Sequence, residues 1–315
     1  MSSYKTSNSL IESIKNRIST PTNQSTFNTD DILRFANEEM FLNVVPLIMS
    51  LHEDHFLYDQ TVALEANKSS YTIPERAIGN KLRDIQYVDQ NGNHFEMTRL
   101  GIGDIPERQN SFTTNRIYRY YLKNNKVVLL PSVGDSVTGS LIFYYYIRPN
   151  NLVEESRIGI IQNINASTGE ITLDSIPDNF TTSIRYDFYK QESPHSHLAI
   201  DLTSSNIDTS TKIITFTAAD IPDELAVGDH IAQRCECIIP QIPSDLHVLL
   251  AQYTSERILE SIGDTEGLGN AKATTGKMEF RTGTIIDSRV DDSPQKLVNK
   301  HSPLRAGLAS RRRRF

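Results

Sequence analysis

The side chains able to do chemistry fall in a few short stretches of the chain. His52-Glu-Asp-His55 brings imidazoles and carboxylates together as a zinc peptidase does, but that chemistry needs histidines four apart on one helical face, and these are three apart. Gly101-Ile-Gly103-Asp-Ile-Pro106 begins like a dinucleotide-binding loop, yet proline stands in place of the third glycine and no helix pattern follows, so it reads as a loop. Gly134-Asp-Ser136-Val-Thr-Gly139 misses the G-x-S-x-G nucleophile elbow by one residue. It also joins two strand-like runs, whereas the elbow needs a strand-to-helix turn; a hairpin or loop is the better reading.

His195 and His197, together with Cys235 and Cys237, offer four metal ligands at alternate-residue spacing on expected strands. Structural zinc sites usually place two to four residues between cysteines, so the expectation is no metal centre and no cofactor, these four being the candidates if one exists. Tyr144, Tyr145 and Tyr146 lie in the apolar, strand-length stretch Leu141–Ile147. The run reads as a strand buried in the fold or covered by another subunit, the other reading being a base-stacking platform. Arg311, Arg312, Arg313 and Arg314 form the sharpest charge feature: a solvated terminus, a segment docking into an acidic cleft, or a contact with DNA phosphates. No stretch supplies a convincing nucleophile, general base or metal set, and a non-enzymatic protein is expected.

The frame for these residues is a chain of 315 residues, enough for one large domain or two ordinary ones. Hydrophobic content of 38% and charged content of 23% suit a folded protein. No apolar run approaches the ~20 residues that span a bilayer. Met1–Leu10 lacks the basic and apolar blocks of a secretion signal, so the expectation is a protein made and used in a cytoplasm, with no membrane partner. Two cysteines at alternate positions exclude a disulfide framework. Residues 301–315 hold five arginines and no acid, so the net charge of −7 conceals −12 on the rest of the chain: an acidic body with a basic tail.

Periodicity divides the chain into helix, strand and helix. Leu10, Ile11, Ile14 and Ile18 predict a short helix ending before Pro21. Thr29 as N-cap, Asp30 and Asp31 in the first turn, and apolar residues from Leu33 to Leu51 predict a long amphipathic helix kinked at Pro46. From about Thr61 to Pro240 short alternating runs predict strands, punctuated by turns at Asn91-Gly92, Asn124-Asn125 and Thr168-Gly169. Residues 169–178 and 211–223 both read as a strand followed by Ile-Pro-Asp, and are expected to be equivalent edges of a small barrel or sandwich. Ser244 caps a further helix that stops at Gly263, and Thr265 to about Ile286 forms another, whose four glycines each cost ~1 kcal/mol relative to alanine. That helix must be held by neighbouring helices or subunits. Beyond Asp287 the chain reads as an extended arm.

Three stretches carry a resemblance to a known family. Phe27-Asn-Thr-Asp-Asp-Ile-Leu-Arg-Phe-Ala-Asn-Glu-Glu39 with Val45-Pro-Leu47, then Tyr71-Thr-Ile-Pro-Glu-Arg-Ala-Ile-Gly-Asn-Lys-Leu-Arg-Asp84, and near the end Asp245-Leu-His-Val-Leu-Leu-Ala-Gln252, Ile286-Asp-Ser-Arg289 and Ser293–Arg305, resemble the head-to-tail connector proteins of tailed bacteriophages. The likeness covers roughly residues 10–105 and 240–305; residues 150–240 match it least, and the arginine-rich terminus goes beyond it.

The resemblance implies an α+β fold with a helical bundle drawn from both chain ends, a large central antiparallel β insertion of barrel or sandwich type, and an extended C-terminal arm. Its segments would be residues 1–60 and 241–286 for the helical core, 61–150 for an attached β region, 151–240 for the β insertion and 287–315 for the basic arm. It implies a homo-oligomeric ring, commonly of twelve subunits, at the head–tail interface of a virion assembled in a bacterial cytoplasm. The implied partners are the portal protein, a tail or second neck-ring protein and passing genomic DNA. In the arm, Leu304, Leu308 and Phe315 would be apolar anchors, while Arg305, Arg311, Arg312, Arg313 and Arg314 would pair with acidic portal groups. The alternative is another tail or neck β module binding a glycan, a receptor or a structural partner.

Overall fold

The computed structural model describes residues 6–18, 27–104, 119–130, 133–134, 138–192 and 195–286. Helix α1 (Ser7–Arg17) buries Leu10, Ile11 and Ile14 on one stripe. Helix α2 (Thr29–Glu39) is capped one residue earlier than expected. The Asn28 side chain accepts the Asp31 N–H at 2.7 Å while the Asp31 carboxylate accepts the Asn28 N–H, a reciprocal capping box. The expected kink at Pro46 also moves. A π-helical turn, Met40–Val44, precedes helix α3 (Val45–Leu51), in whose first turn Pro46 sits. Proline has no N–H to donate and its ring crowds the carbonyl four residues back, at Leu42, so the wider turn takes up the misfit before the proline is reached.

The β residues, from Leu57 to Cys237, form open sheets; among the described residues none closes into the barrel that was one expectation. One four-stranded sheet has the order Leu57–Ala63, Ser140–Ile147, Ala77–Val88, His94–Glu96, and another Ser70–Thr72, Lys126–Leu130, Arg119–Lys123, Thr98–Arg99. They share a core that includes Tyr71, Ile85, Val127, Leu141 and Phe143. A seven-stranded sheet spans residues 159–233 around Ile161, Ile171, Phe188, Ile214 and Ile231. Antiparallel pairing is not uniform: Asn151–Leu152 runs parallel to Glu236–Cys237, and Thr98–Arg99 parallel to Arg119–Lys123.

Local turn chemistry accounts for several of these pairings. Asn124 and Asn125 both take positive φ, 50° and 58°, the two-residue turn that matches the twist of the hairpin it closes. The two strand-Ile-Pro-Asp stretches are not equivalent edges. Their strands, Glu170–Leu173 and Ile213–Thr215, lie side by side and antiparallel, which lets Ile171 and Ile214 meet face to face in the core. Gly169 makes this approach possible: its φ is +77°, and a Cβ there would strike the Phe216 carbonyl. Gly169→Ala should lower stability by about 2–3 kcal/mol, combining left-handed strain with that collision. A loss of unfolding free energy below about 1 kcal/mol, measured by urea unfolding, would show the turn to be adaptable.

Helix α4 (His247–Ile262) ends at Gly263, φ +80°, whose N–H returns to the Leu259 and Glu260 carbonyls. Helix α5 (Thr265–Ile286) follows at once, the Asp264 carboxylate accepting the Gly267 N–H at 2.9 Å. Its inward stripe runs through Ala271, Thr275, Met278 and Thr282, with Met278 packed on the helical core; Gly269 and Gly276 face open space and Phe280 is 80% exposed. Leu10, Ile14, Ile32, Ala36, Met40 and Ile48 from one end of the chain share a single cluster with Leu246, Leu249, Leu250 and Ile258 from the other. No helix among the described residues is long and apolar enough to cross a membrane.

Candidate functional site

The stretches singled out for chemistry disperse in the fold. His52 follows the end of α3 in a non-helical conformation and Glu53–Phe56 is a single 3₁₀ turn, so the two histidines share no helical face. Ile102–Asp104 is likewise a 3₁₀ turn; Ser136 lies outside the described residues, as does the whole arm with Leu304, Arg305, Leu308, Arg311, Arg312, Arg313, Arg314 and Phe315. Tyr145 and Tyr146 are buried in the strand Ser140–Ile147, paired on both sides, and only Tyr144 is half-exposed. A buried ring has no face to offer a base or a sugar.

The four metal candidates have other occupations. His195 is buried with its ring 6.1 Å from that of His247; His197 Nε2 meets Asn150 Oδ1 at 3.1 Å; Cys235 Sγ accepts from Arg76; and Cys237 Sγ donates to the Ile239 carbonyl at 3.1 Å. Burial pushes the Cys237 thiol well above its ordinary range, which suits a packed thiol. Among the described residues no three His, Cys, Asp or Glu side chains gather in a metal-binding arrangement.

The structure instead brings together residues that sequence reasoning passed over. Arg76, just before the strand Ala77–Val88, forms an ion pair with Asp187 in the middle of Arg185–Tyr189, the two side chains only 5% and 0% exposed. The same guanidinium nitrogen reaches Asn150 Oδ1 at 3.1 Å and Cys235 Sγ at 3.2 Å. Asp187 also accepts the Asn150 side-chain amide at 3.0 Å and the backbone N–H groups of Cys235 (2.8 Å) and Asp201 (3.0 Å). Both of these residues hold positive φ, 65° and 60°, and Asp201 lies where the pairing of Arg185–Tyr189 with His197–Thr203 slips register. The carboxylate thus fixes two strained backbone positions, each costing on the order of 1–3 kcal/mol, one of them, Asp201, at a β-bulge.

Electrostatics follow from this packing. Burial alone would lower the Arg76 guanidinium, but Asp187 outweighs it and holds the group protonated above its usual range. Because Asn150 Oδ1 already accepts from Arg76, His197 Nε2 must be the donor in their contact, which assigns the neutral Nε2–H tautomer. Burial and the nearby Arg76 charge lower His197, Asp187 opposes them, and the outcome is about 4. Asn150 N–H donates to Gln241 Oε1 at 2.7 Å, and the Gln241 amide to the His195 carbonyl. This polar junction therefore links the four-stranded sheets, the seven-stranded sheet and the segment leading into α4.

A cleft of about 580 Å³ opens over the junction. Its lining includes Arg76, Arg148 and Arg234, the acid Glu75, and the apolar Phe41, Val45 and Ile78. Arg234 is tied to Glu75 and Asp201, both at 2.6 Å. A second groove shares Phe41 and Asn151 with this cleft and continues along α2. There Asn37 acts as a surrogate strand: its side-chain amide accepts the Leu152 N–H at 2.7 Å and donates to the Leu152 carbonyl at 3.1 Å, closing an edge that would otherwise be bare. Two signals in the sequence point to this site. Arg76 lies within Tyr71–Asp84, and Asp187 is a lone carboxylate flanked by Tyr186 and Phe188, where a charge needs a buried partner.

No protein-family model matches the chain, and no curated protein is significantly similar to it.

Proposed function

We propose that this chain is a structural virion protein, a ring-forming connector that joins the portal of a phage head to the tail and surrounds the path of the DNA. The observation that carries this reading is that the resembling stretches at 27–39 and 245–252, far apart in sequence, meet in space, while those at 287–289 and 293–305 lie outside the described residues. Residues 27–39 and 245–252 fall on α2 and the start of α4, whose apolar residues share one core. Tyr71–Asp84 delivers Arg76 to the polar junction beside them. In this reading the helices from both ends form a bundle that makes the ring wall, the central strands are an insertion facing the tail or a second neck ring, and residues 287–315 form the docking arm.

The mechanism is mechanical. In a closed ring each subunit sets one surface against a different surface of its neighbour, twelve by resemblance, and leaves a central hole. The outward face of α5, with Gly269, Gly276 and Phe280, suits close approach of a neighbouring helix. An acidic body limits phosphate contacts and lets DNA slide past. A glycan-binding β module is less well supported, since burial of Tyr145 and Tyr146 takes away the aromatic surface it needed.

The test is to purify the full chain alone and mixed with a portal protein from the same source, and to measure mass and image negatively stained particles. A ring stacked coaxially on the portal is expected, and removal of residues 301–315 should abolish portal binding while leaving thermal unfolding unchanged. Monomers in both samples would sink the connector reading. Undiminished portal binding after truncation would sink the role of Leu304, Leu308, Phe315 and the arginines.

A further inference from the structure

We infer that the free edge of the strand Leu57–Ala63 is a docking site for an extended, basic segment of a partner protein, which joins the four-stranded sheet as a further strand. Leu57–Ala63 is outermost in that sheet, paired on one side with Ser140–Ile147 in unbroken register and on the other with no strand among the described residues. Such an edge presents a row of unmade backbone N–H and C=O groups, which folded proteins usually blunt by shortness, lysine, proline or a bulge. The edge strands Ser70–Thr72, His94–Glu96, Thr98–Arg99 and Asn206–Asp208 are two or three residues long. The edge strand His197–Thr203 is longer but slips register against its partner. Leu57–Ala63 runs for seven residues with none of these devices.

A groove of about 490 Å³ is lined by Tyr58, Asp59, Gln60 and Thr61 of this strand. Consecutive strand residues point to opposite faces, so a space that touches four in a row follows the edge of the strand rather than one face. The same groove is lined by residues 198–200 of His197–Thr203 and by Asp220 and Asp223. Asp59, Asp220 and Asp223 are exposed, and none has an ion pair or a side-chain hydrogen bond among the described residues. No lysine or arginine stands among the described residues of the lining. This uncompensated negative charge selects the occupant. Backbone pairing along the edge is indifferent to sequence, whereas the carboxylates favour lysine or arginine opposite Asp59. Tyr58 and Val62 pack on the sheet core while Asp59 and Thr61 are exposed, so the incoming strand alternates apolar and basic side chains. A second copy of this strand would bring its own Asp59 into an acidic groove. The inference does not depend on ring formation.

The experiment is calorimetric titration of the full chain at low salt with the acetylated, amidated peptide Val-Arg-Val-Lys-Val-Arg, together with amide hydrogen exchange. Saturable binding is expected, with slowed exchange in residues 57–63. The triple variant Asp59→Asn, Asp220→Asn and Asp223→Asn should weaken binding about tenfold, the combined scale of three exposed ion pairs. All three side chains are exposed and unbonded, so this variant is expected to fold, and an unchanged melting temperature verifies it. A peptide methylated on its central backbone nitrogens cannot pair as a strand and should not bind. Four outcomes overturn the site: no binding at millimolar peptide, equal binding of the methylated peptide, unaltered affinity in the triple variant, or unchanged exchange in residues 57–63. Two others give the edge to a different occupant and overturn the partner. One is a dimer of the chain that Asp59→Lys abolishes; the other is peptide binding only after removal of residues 301–315.

Discussion

Arg76→Met should lower the stability of the chain by about 3–5 kcal/mol, the usual result of removing one member of a buried ion pair. Asp187 would remain at 0% exposure with its hydrogen-bond donors but without its counter-charge, and Asn150 and Cys235 would each lose a donor. Neutralising the carboxylate as well, with Arg76→Met and Asp187→Asn together, should recover part of the loss, because asparagine keeps an acceptor for one of the backbone N–H groups of Cys235 and Asp201. Asp187→Leu should recover little, since both of those N–H groups would then be buried and unmet. Urea unfolding of the single and double variants measures the coupling directly. A loss below 1 kcal/mol in Arg76→Met would mean that the junction is not what holds the sheets together.

The second large effect is acid instability. His197 and His230 are both held down to about 4, chiefly by burial; for His230 the carboxylates of Asp229, Asp174 and Glu155 pull upward while His195 pushes down. Unfolded, each returns to about 6.5. Between pH 6.5 and 4 the unfolded chain therefore binds more protons than the folded one, so stability is full above pH 6.5 and falls as pH drops toward 4, by on the order of 2 kcal/mol for each histidine. Glu39, Glu236 and Glu256, raised by burial, work in the opposite direction over the lower part of this range and soften the loss. The ring of His230 stacks on Tyr189 at 5.3 Å and its Nδ1 has no hydrogen-bond partner among the described residues, so His230→Phe keeps the stack and removes the titration. Unfolding free energy measured from pH 4 to 7 should slope less steeply in that variant; an identical slope would assign the acid sensitivity elsewhere.

Helices and turns were legible because their determinants are local. Gly263 stops α4 for a reason present in the residue itself, and Asn124-Asn125 closes its hairpin by the ease with which asparagine takes positive φ. The misplacements came from competition at short range: Asn28 took the cap from Thr29, and the strain of Pro46 was relieved a turn upstream. Sheet order was not legible. The likeness between residues 169–178 and 211–223 marks strands that pair with each other, and nothing in either stretch distinguishes pairing from equivalence. The polar junction was least legible, because Arg76, Asn150, Asp187 and Gln241 come from four separate parts of the chain and only the assembled sheets bring them into contact.

The shared core of the two chain ends has a consequence for synthesis on the ribosome. Leu10, Ile14, Ile32 and Ile48 emerge early, but their partners Leu249, Leu250 and Ile258 follow only after about 200 further residues, a delay of roughly 10–40 s at bacterial elongation rates. Throughout that interval the first helices display an unburied apolar stripe. The nascent chain should therefore be a client of holding chaperones until α4 clears the exit tunnel, and overexpression should yield soluble protein in proportion to how well translation rate and chaperone supply are matched.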